Sequence, residues 1–252
     1  MKPPAVPARA LKTKVRAVYR ALIKAHGRPA RPAWSGTVGL IDPSETRSTW
    51  EPIDPLDELI NTILSQNTND LNRDRAYRAL RSALPTWEAV RDAPARDVIA
   101  AIKPAGLANQ KGPRIQQVLR RITAERGALD LSFLADMDTA AAKAWLTALD
   151  GVGPKTASIV LLFALGKPAF PVDTHIHRVT GRLGLIPPKT TADQAHDMLE
   201  ALVPPEWYHP LHLLIIQHGR QVCKAQRPRC DTCPLQIYCD YYQRGRNGKI
   251  GG

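Results

Sequence analysis

A lysine that opens one helix and an aspartate that opens the next can together serve as a nucleophilic amine and its proton acceptor. Lys155 follows Leu149-Asp150-Gly151-Val152-Gly153-Pro154 and precedes Thr156-Ala157. The partial positive charge at a helix N-terminus disfavours a second positive charge there. Such a position is poor for stability and good for a nucleophile, because a lowered pKa frees the amine. Contact with a phosphate is the plainer alternative. Asp173 lies in Pro171-Val172-Asp173-Thr174-His175-Ile176-His177-Arg178-Val179, where it is expected to cap a helix. A carboxylate near the amine can also accept its proton, organise a water, or stabilise positive charge developing on a sugar. One helix and a short return loop separate the two residues, so a fold can bring both into one cleft.

The glycines around Lys155 suggest what it acts on. Gly151 and Gly153 permit backbone angles that other residues avoid, Val152 can anchor between two helices, and Pro154 can open the second helix without losing a bond. First-turn N–H groups then face outward beside positions that lack side chains, so a phosphate can approach closely. This is a helix-hairpin-helix pattern, with a plain αα-hairpin as the alternative.

Four cysteines, Cys223, Cys230, Cys233 and Cys239, follow the spacing C-x6-C-x2-C-x5-C. Four thiolates can hold zinc or an iron–sulfur cluster. Zinc sites favour two close knuckles, and here only Cys230 and Cys233 are close. A compact wrap of four suits a 4Fe-4S cluster better, with free thiols as the third reading. Arg220, Lys224, Arg227 and Arg229 are interleaved with these cysteines and are expected to neutralise thiolates and meet a DNA backbone. His175 and His177 are two apart and do not share a helix face, so no zinc site is expected there. His209, His212 and His218 lack a metal pattern, and His212 and His218 are expected beside the cysteine loop.

The rest of the chain must position these residues. Its 252 residues can bury one large core or two small ones. A formal net charge of +12 favours an anionic partner, nucleic acid first and an acidic membrane surface second. No apolar run is long enough to span a bilayer, and MKPPAVPARALKTK does not read as a secretory signal. A reducing, cytoplasmic, nucleoid-associated setting is expected.

Nearly every periodic segment reads as helix. Leu11, Val15, Val18, Tyr19, Leu22 and Ile23 share one face. Residues 27–53 are turn-rich and contain Trp34 and Trp50. Asp54-Pro55 caps a helix bearing Leu56, Leu59, Ile60, Ile63 and Leu64, which ends in the polar run Ser65 to Asp70. Helices resume through Tyr77 and Leu84, after Thr86, over 95–102, through Ile115 to Ile122, and over 131–136 and 139–149. The apolar run 159–165 reads as a buried helix continuing from Pro154. The fold class is therefore all-α, built of stacked helical hairpins.

Together, Leu149 to Ala157, Val172 to Val179, His218-Gly219-Arg220 and the cysteine set resemble the endonuclease III family of helix-hairpin-helix DNA glycosylases. The resemblance covers about residues 54–242, and the 11–27 helix resembles the family's first helix. It implies two helical domains with a DNA-binding cleft between them. One is a six-helix barrel over 54–167. The other is 8–27 plus 168–242 with a C-terminal 4Fe-4S loop. A crossing linker over 28–53 and a disordered tail over 243–252 complete the expectation.

By the same resemblance Lys155 is the Schiff-base nucleophile and Asp173 the assisting carboxylate. Ser65 to Asp70 aligns with a loop that fills the gap left by a flipped nucleotide. Asn67 stands where the family has a glutamine, with Gln66 one residue early. Leu107, after Gly106, resembles a second, apolar wedge. Gly151, Val152, Gly153, Thr156 and Arg178 are expected at the DNA, with Arg220, Lys224 and Arg229. The implied partner is double-stranded DNA carrying oxidised pyrimidines or abasic sites, acted on by a monomer with no free nucleotide cofactor. The alternatives are a monofunctional mismatch glycosylase and a non-catalytic iron–sulfur DNA-binding protein. Lys155 and the lack of room for a mismatch-reading domain before Gly252 argue against the first, and the pairing of Lys155 with Asp173 argues against the second.

Overall fold

The structure, a computed structural model, describes residues 7–29 and 53–246. Every regular element among those residues is helical, with no strand among them. In chain order the helices are α1 (Ala8–His26), α2 (Pro55–Ser65), α3 (Asp70–Ala83), α4 (Trp87–Asp92), α5 (Ala95–Ile102) and α6 (Ala108–Arg126). They continue with α7 (Thr139–Thr147), α8 (Pro154–Ile159), α9 (Thr174–Leu183), α10 (Ala192–Leu202), α11 (Tyr208–Gln221) and α12 (Asp240–Arg246). Short 3-10 turns lie between several of them. The chain divides into two compact units, one of residues 32–167 and one of residues 1–31 with 168–252. The turn-rich segment with Trp34 and Trp50 lies mostly outside the described residues.

In the unit of α2–α8, α2 is the central element. Asp54 accepts hydrogen bonds from the N–H groups of Leu56 and Asp57, and Pro55 occupies the first turn. Leu56, Leu59, Ile60, Ile63 and Leu64 are fully buried, and α3, α6 and α8 pack around them. α5 and α6 cross closely at Gly112, where an added Cβ would lie 2.9 Å from Ile99 Cγ1. Thr86 caps α4 by accepting from Ala89 N. After α8 the chain continues as a π-helical turn over Val160–Ala164, all five residues buried. The expected single buried helix is therefore present but changes winding. An all-apolar run fills the core in either winding and carries no period that distinguishes them.

Glu58 faces into this core and is 5% exposed. Thr62 Oγ1 donates to its Oε1 at 3.2 Å, and Oε2 is buried without a partner. Burial pushes its pKa from 4.5 up to about 8, against the opposing pull of Thr62 and Arg73. A folded-state pKa above the unfolded value means that stability is full below about pH 4.5 and is lost as pH rises through about 8. Between those values the slope from this group approaches about 1.4 kcal/mol per pH unit. Glu58→Gln keeps the acceptor for Thr62 and cannot ionise, so it should flatten urea-derived stability between pH 5 and 8 relative to the parent. Equal slopes in the two proteins would mean that Glu58 does not set this dependence.

In the other unit, α1 buries Val15, Val18, Tyr19 and Leu22 against α10 and α11. Tyr19 stacks on Trp207 with ring centroids 4.5 Å apart. Lys14 pairs with Asp240 at the start of α12 at 2.6 Å. That last helix runs to Arg246, so the expected disordered tail over 243–252 gives way to helix in its first four residues.

Candidate active site and nucleic-acid interface

The hairpin between α7 and α8 turns on Gly151, whose φ of +77° is in the region that favours glycine. Arg114 lies across this glycine, its Cδ and Nε filling the space where a Cβ would stand. Val152 is the expected anchor, 4% exposed, its N–H bonded to Leu149 O at 3.0 Å. Gly153 differs from expectation. Its φ of −87° is open to any residue, and its value lies in the empty space beside it, since an added Cβ would meet nothing within 4 Å.

Gly153 caps α8 without a side-chain bond, which leaves first-turn N–H groups pointing outward. Lys155, the second residue of α8, is half-buried at this end. Thr156 is 3% exposed, so its backbone rather than its side chain is what the helix start presents.

Two loops of the same unit carry the expected wedges. Gln66 is half-buried, donates from Nε2 to Gly151 O at 3.2 Å and accepts from Arg114 Nη1 at 3.4 Å. Asn67 is exposed with φ +53°. Leu107 is 46% exposed, and its φ of +50° is a strained conformation for a leucine.

In the second unit Asp173 is the N-cap of α9, and its Oδ1 accepts from Ile176 N at 2.7 Å. The stretch before it is irregular, yet its polar backbone groups are satisfied by side chains that sequence reasoning did not single out for this task. Phe170 N donates to Glu200 Oε1 at 2.9 Å, His196 Nδ1 bonds Phe170 O at 3.0 Å and His212 Nδ1 bonds Pro171 O at 3.1 Å. Both histidines are buried. His212 thus braces the approach to Asp173. A buried carbonyl left without its donor costs about 1–3 kcal/mol. His212→Phe should lower stability by about that amount in urea unfolding, and an unchanged midpoint would count against the brace.

Arg178 is also turned inward. Its Nε donates to Cys223 O at 3.0 Å and its Nη2 to Gly219 O at 3.1 Å, and the ring of His175 lies 3.0 Å from Nη2. His177 bonds Thr190 O at 2.7 Å. Arg220, Lys224 and Arg229 are at the surface.

The cysteine loop overturns the cofactor expectation. Among the described residues no group of three or more His, Cys, Asp or Glu side chains is arranged to hold a metal ion. Contrary to the 4Fe-4S expectation, Cys223, Cys230, Cys233 and Cys239 are not found arranged as a ligand set, although all four line one cavity. They are free, half-buried cysteines. Burial pushes Cys233 up to about 11 and raises Cys230 and Cys239 as well. The loop is held by arginine instead. Arg182 donates to Lys224 O at 2.7 Å, Ala225 O at 2.9 Å and Cys223 Sγ at 3.3 Å, and Cys239 Sγ–H donates to Arg182 O at 3.4 Å. His218 does lie beside the loop, with Nε2 3.6 Å from Cys233 Sγ.

An all-helical chain with a glycine hairpin leading into an uncapped, lysine-bearing helix falls in the class of helix-hairpin-helix DNA repair proteins, and residues 60–205 match the model for the HhH-GPD superfamily base excision DNA repair protein. The chain is 34% identical over 197 residues to Endonuclease III of Thermotoga maritima, an alignment covering 78% of this chain and 88% of that one. A solved non-covalent Endonuclease III–DNA complex superposes with a TM-score of 0.75 at 26% identity, covering 94% of this chain and 98% of that one. A trapped Endonuclease III–DNA covalent intermediate gives 0.73 at 25%, covering 93% and 98%. This chain belongs to the endonuclease III family. The similar structures share its all-α fold.

Proposed function

We propose that this protein excises oxidised pyrimidines from double-stranded DNA and nicks the resulting abasic site by β-elimination. The observation that carries the reading is Lys155 in the first turn of α8, directly after the Gly151–Gly153 hairpin, in a chain of the endonuclease III family. Outward N–H groups at that turn hold a phosphate near the damaged nucleotide. The basic residues of this +12 chain add sequence-independent attraction.

The Lys155 amine gives up a proton to a base, and its lone pair attacks C1′ of the extruded nucleoside, with Asp173 the assisting carboxylate. The bond from C1′ to the base breaks, and the base leaves with that electron pair and takes up a proton. The secondary ammonium formed at C1′ passes a proton to O4′ as the C1′–O4′ bond breaks, which leaves a protonated imine between C1′ and Lys155. The imine acidifies C2′, a base removes its proton, and the C3′–O bond breaks. Water then releases the lysine. The 3′ side carries an unsaturated aldehyde and the 5′ side a phosphate. Amine, carboxylate and water are sufficient for every step.

Of the two candidates in the 65–70 loop, Asn67 enters the duplex. Gln66 is occupied by Gly151 and Arg114, whereas Asn67 is exposed. Leu107 is the apolar wedge that offsets the cost of unstacking. Arg178 braces the cysteine loop, and Arg220, Lys224 and Arg229 face the backbone.

The test is product analysis on a duplex bearing thymine glycol. The account expects free damaged base together with the unsaturated 3′ aldehyde and 5′-phosphate ends. Release of the base with an intact abasic strand would indicate a monofunctional enzyme instead.

A further inference from the structure

Lys111 is among the largest wholly buried side chains of the described residues, only 1% exposed. Its Nζ donates to Leu64 O at 2.8 Å and to Ala105 O at 2.9 Å. Burial pushes its pKa down to about 8, and no carboxylate contributes an opposing pull. Enclosing an ammonium for two carbonyls is costly, and an apolar side chain of similar volume would serve stability at least as well. The location of the carbonyls supplies the reason. Leu64 is the penultimate residue of α2, and Ala105 closes the 3-10 turn after α5.

Three residues beyond the first carbonyl stands Asn67, and two beyond the second stands Leu107. Both are exposed non-glycine residues in the left-handed region, with φ +53° and +50°. Such conformations persist only where surrounding structure enforces them. Lys111 sits in the first turns of α6, pressed against α5 at Gly112. One turn further, Arg114 reaches Gln66 and lies over Gly151. The start of α6 therefore holds both loops and the hairpin turn from one rigid element.

We propose that Lys111 is a positioning residue that couples the 65–69 and 105–107 loops, so that Asn67 and Leu107 act on the duplex as one wedge of fixed spacing. This rests on the reading of those two residues as the ones that enter DNA. Coupling matters for opening a paired duplex, where unstacking must be offset in a single step. It does not matter for chemistry on a sugar that is already unpaired.

Lys111→Met keeps the length and packing of the side chain and removes the donors. Two readouts decide the proposal. In the free protein, amide hydrogen exchange at 65–68 and 106–108 should accelerate together, with the rest of the unit unchanged. In single-turnover assays, excision of thymine glycol from duplex should fall about tenfold or more, while nicking of an abasic site in single-stranded DNA stays within about twofold. Unchanged exchange, loosening of only one loop, or equal loss on both substrates would overturn the proposal in favour of a purely structural lysine. If the parent protein acts on neither DNA, the functional reading falls and hydrogen exchange alone decides the coupling. If Lys111→Met does not fold, exchange of the parent in increasing urea decides. A coupled pair opens with one free energy and one urea dependence, and two distinct values refute the coupling.

Discussion

Lys155→Ala should leave duplex binding close to the parent level and reduce nicking at abasic sites to that of a protein-free control. Phosphate contact at this hairpin belongs to backbone N–H groups and the space beside Gly153, which the substitution does not touch. Alanine is the best helix former, and removing a positive charge from a helix start gains about 0.3–1 kcal/mol. The variant should therefore melt at or slightly above the parent temperature. Folded, DNA-binding and inert is the expected combination, because no other group then supplies the electron pair for C1′. A variant that nicks normally would assign the amine elsewhere. One that fails to bind would make Lys155 a phosphate contact.

Asp173→Asn should separate the two roles of that carboxylate. As an N-cap, asparagine accepts a bond from Ile176 N as well as aspartate does, so stability should change by no more than about 0.5 kcal/mol. Asp173→Ala loses the cap and should cost about 1 kcal/mol. Activity should follow the charge and not the cap. Both variants should lose on the order of 10²- to 10⁴-fold in single-turnover rate, the range for a positioned proton acceptor. Near-normal activity in the asparagine variant would reduce Asp173 to a helix cap. Paired urea titrations and single-turnover rates on all three proteins provide the comparison.

What the sequence makes legible here is local. Asp54-Pro55, Thr86 and Asp173 announce their helices because a cap is a contact between residues two or three apart. Val152 and Gly151 read correctly for the same reason, since a tight turn is determined by its own residues. Tertiary partners are not legible in this way. Nothing near Lys111 in the sequence indicates that its ammonium reaches a carbonyl 47 residues away. His196 and His212 meet the segment before Asp173 only because α10 and α11 fold back onto it. Arg178, placed at the DNA from its motif, turns out to bond the backbone of Gly219 and Cys223.

The cysteine spacing is the sequence signal whose cofactor reading the structure corrects. Spacing shows that four sulfurs can be close. It does not show that they are presented as ligands, and among the described residues no metal-holding group is formed. Burial raises the thiols, while Arg182 and Arg178 carry the order of the loop.

The central claim is that Lys155 forms a covalent bond to the sugar. The most direct measurement is borohydride reduction during reaction with a thymine glycol duplex, followed by peptide mapping of the adduct. The account predicts one protein–DNA adduct, attached through residue 155, formed also on an abasic duplex and absent in Lys155→Ala. Tight binding without an adduct, or an adduct mapped to any other amine, would contradict it.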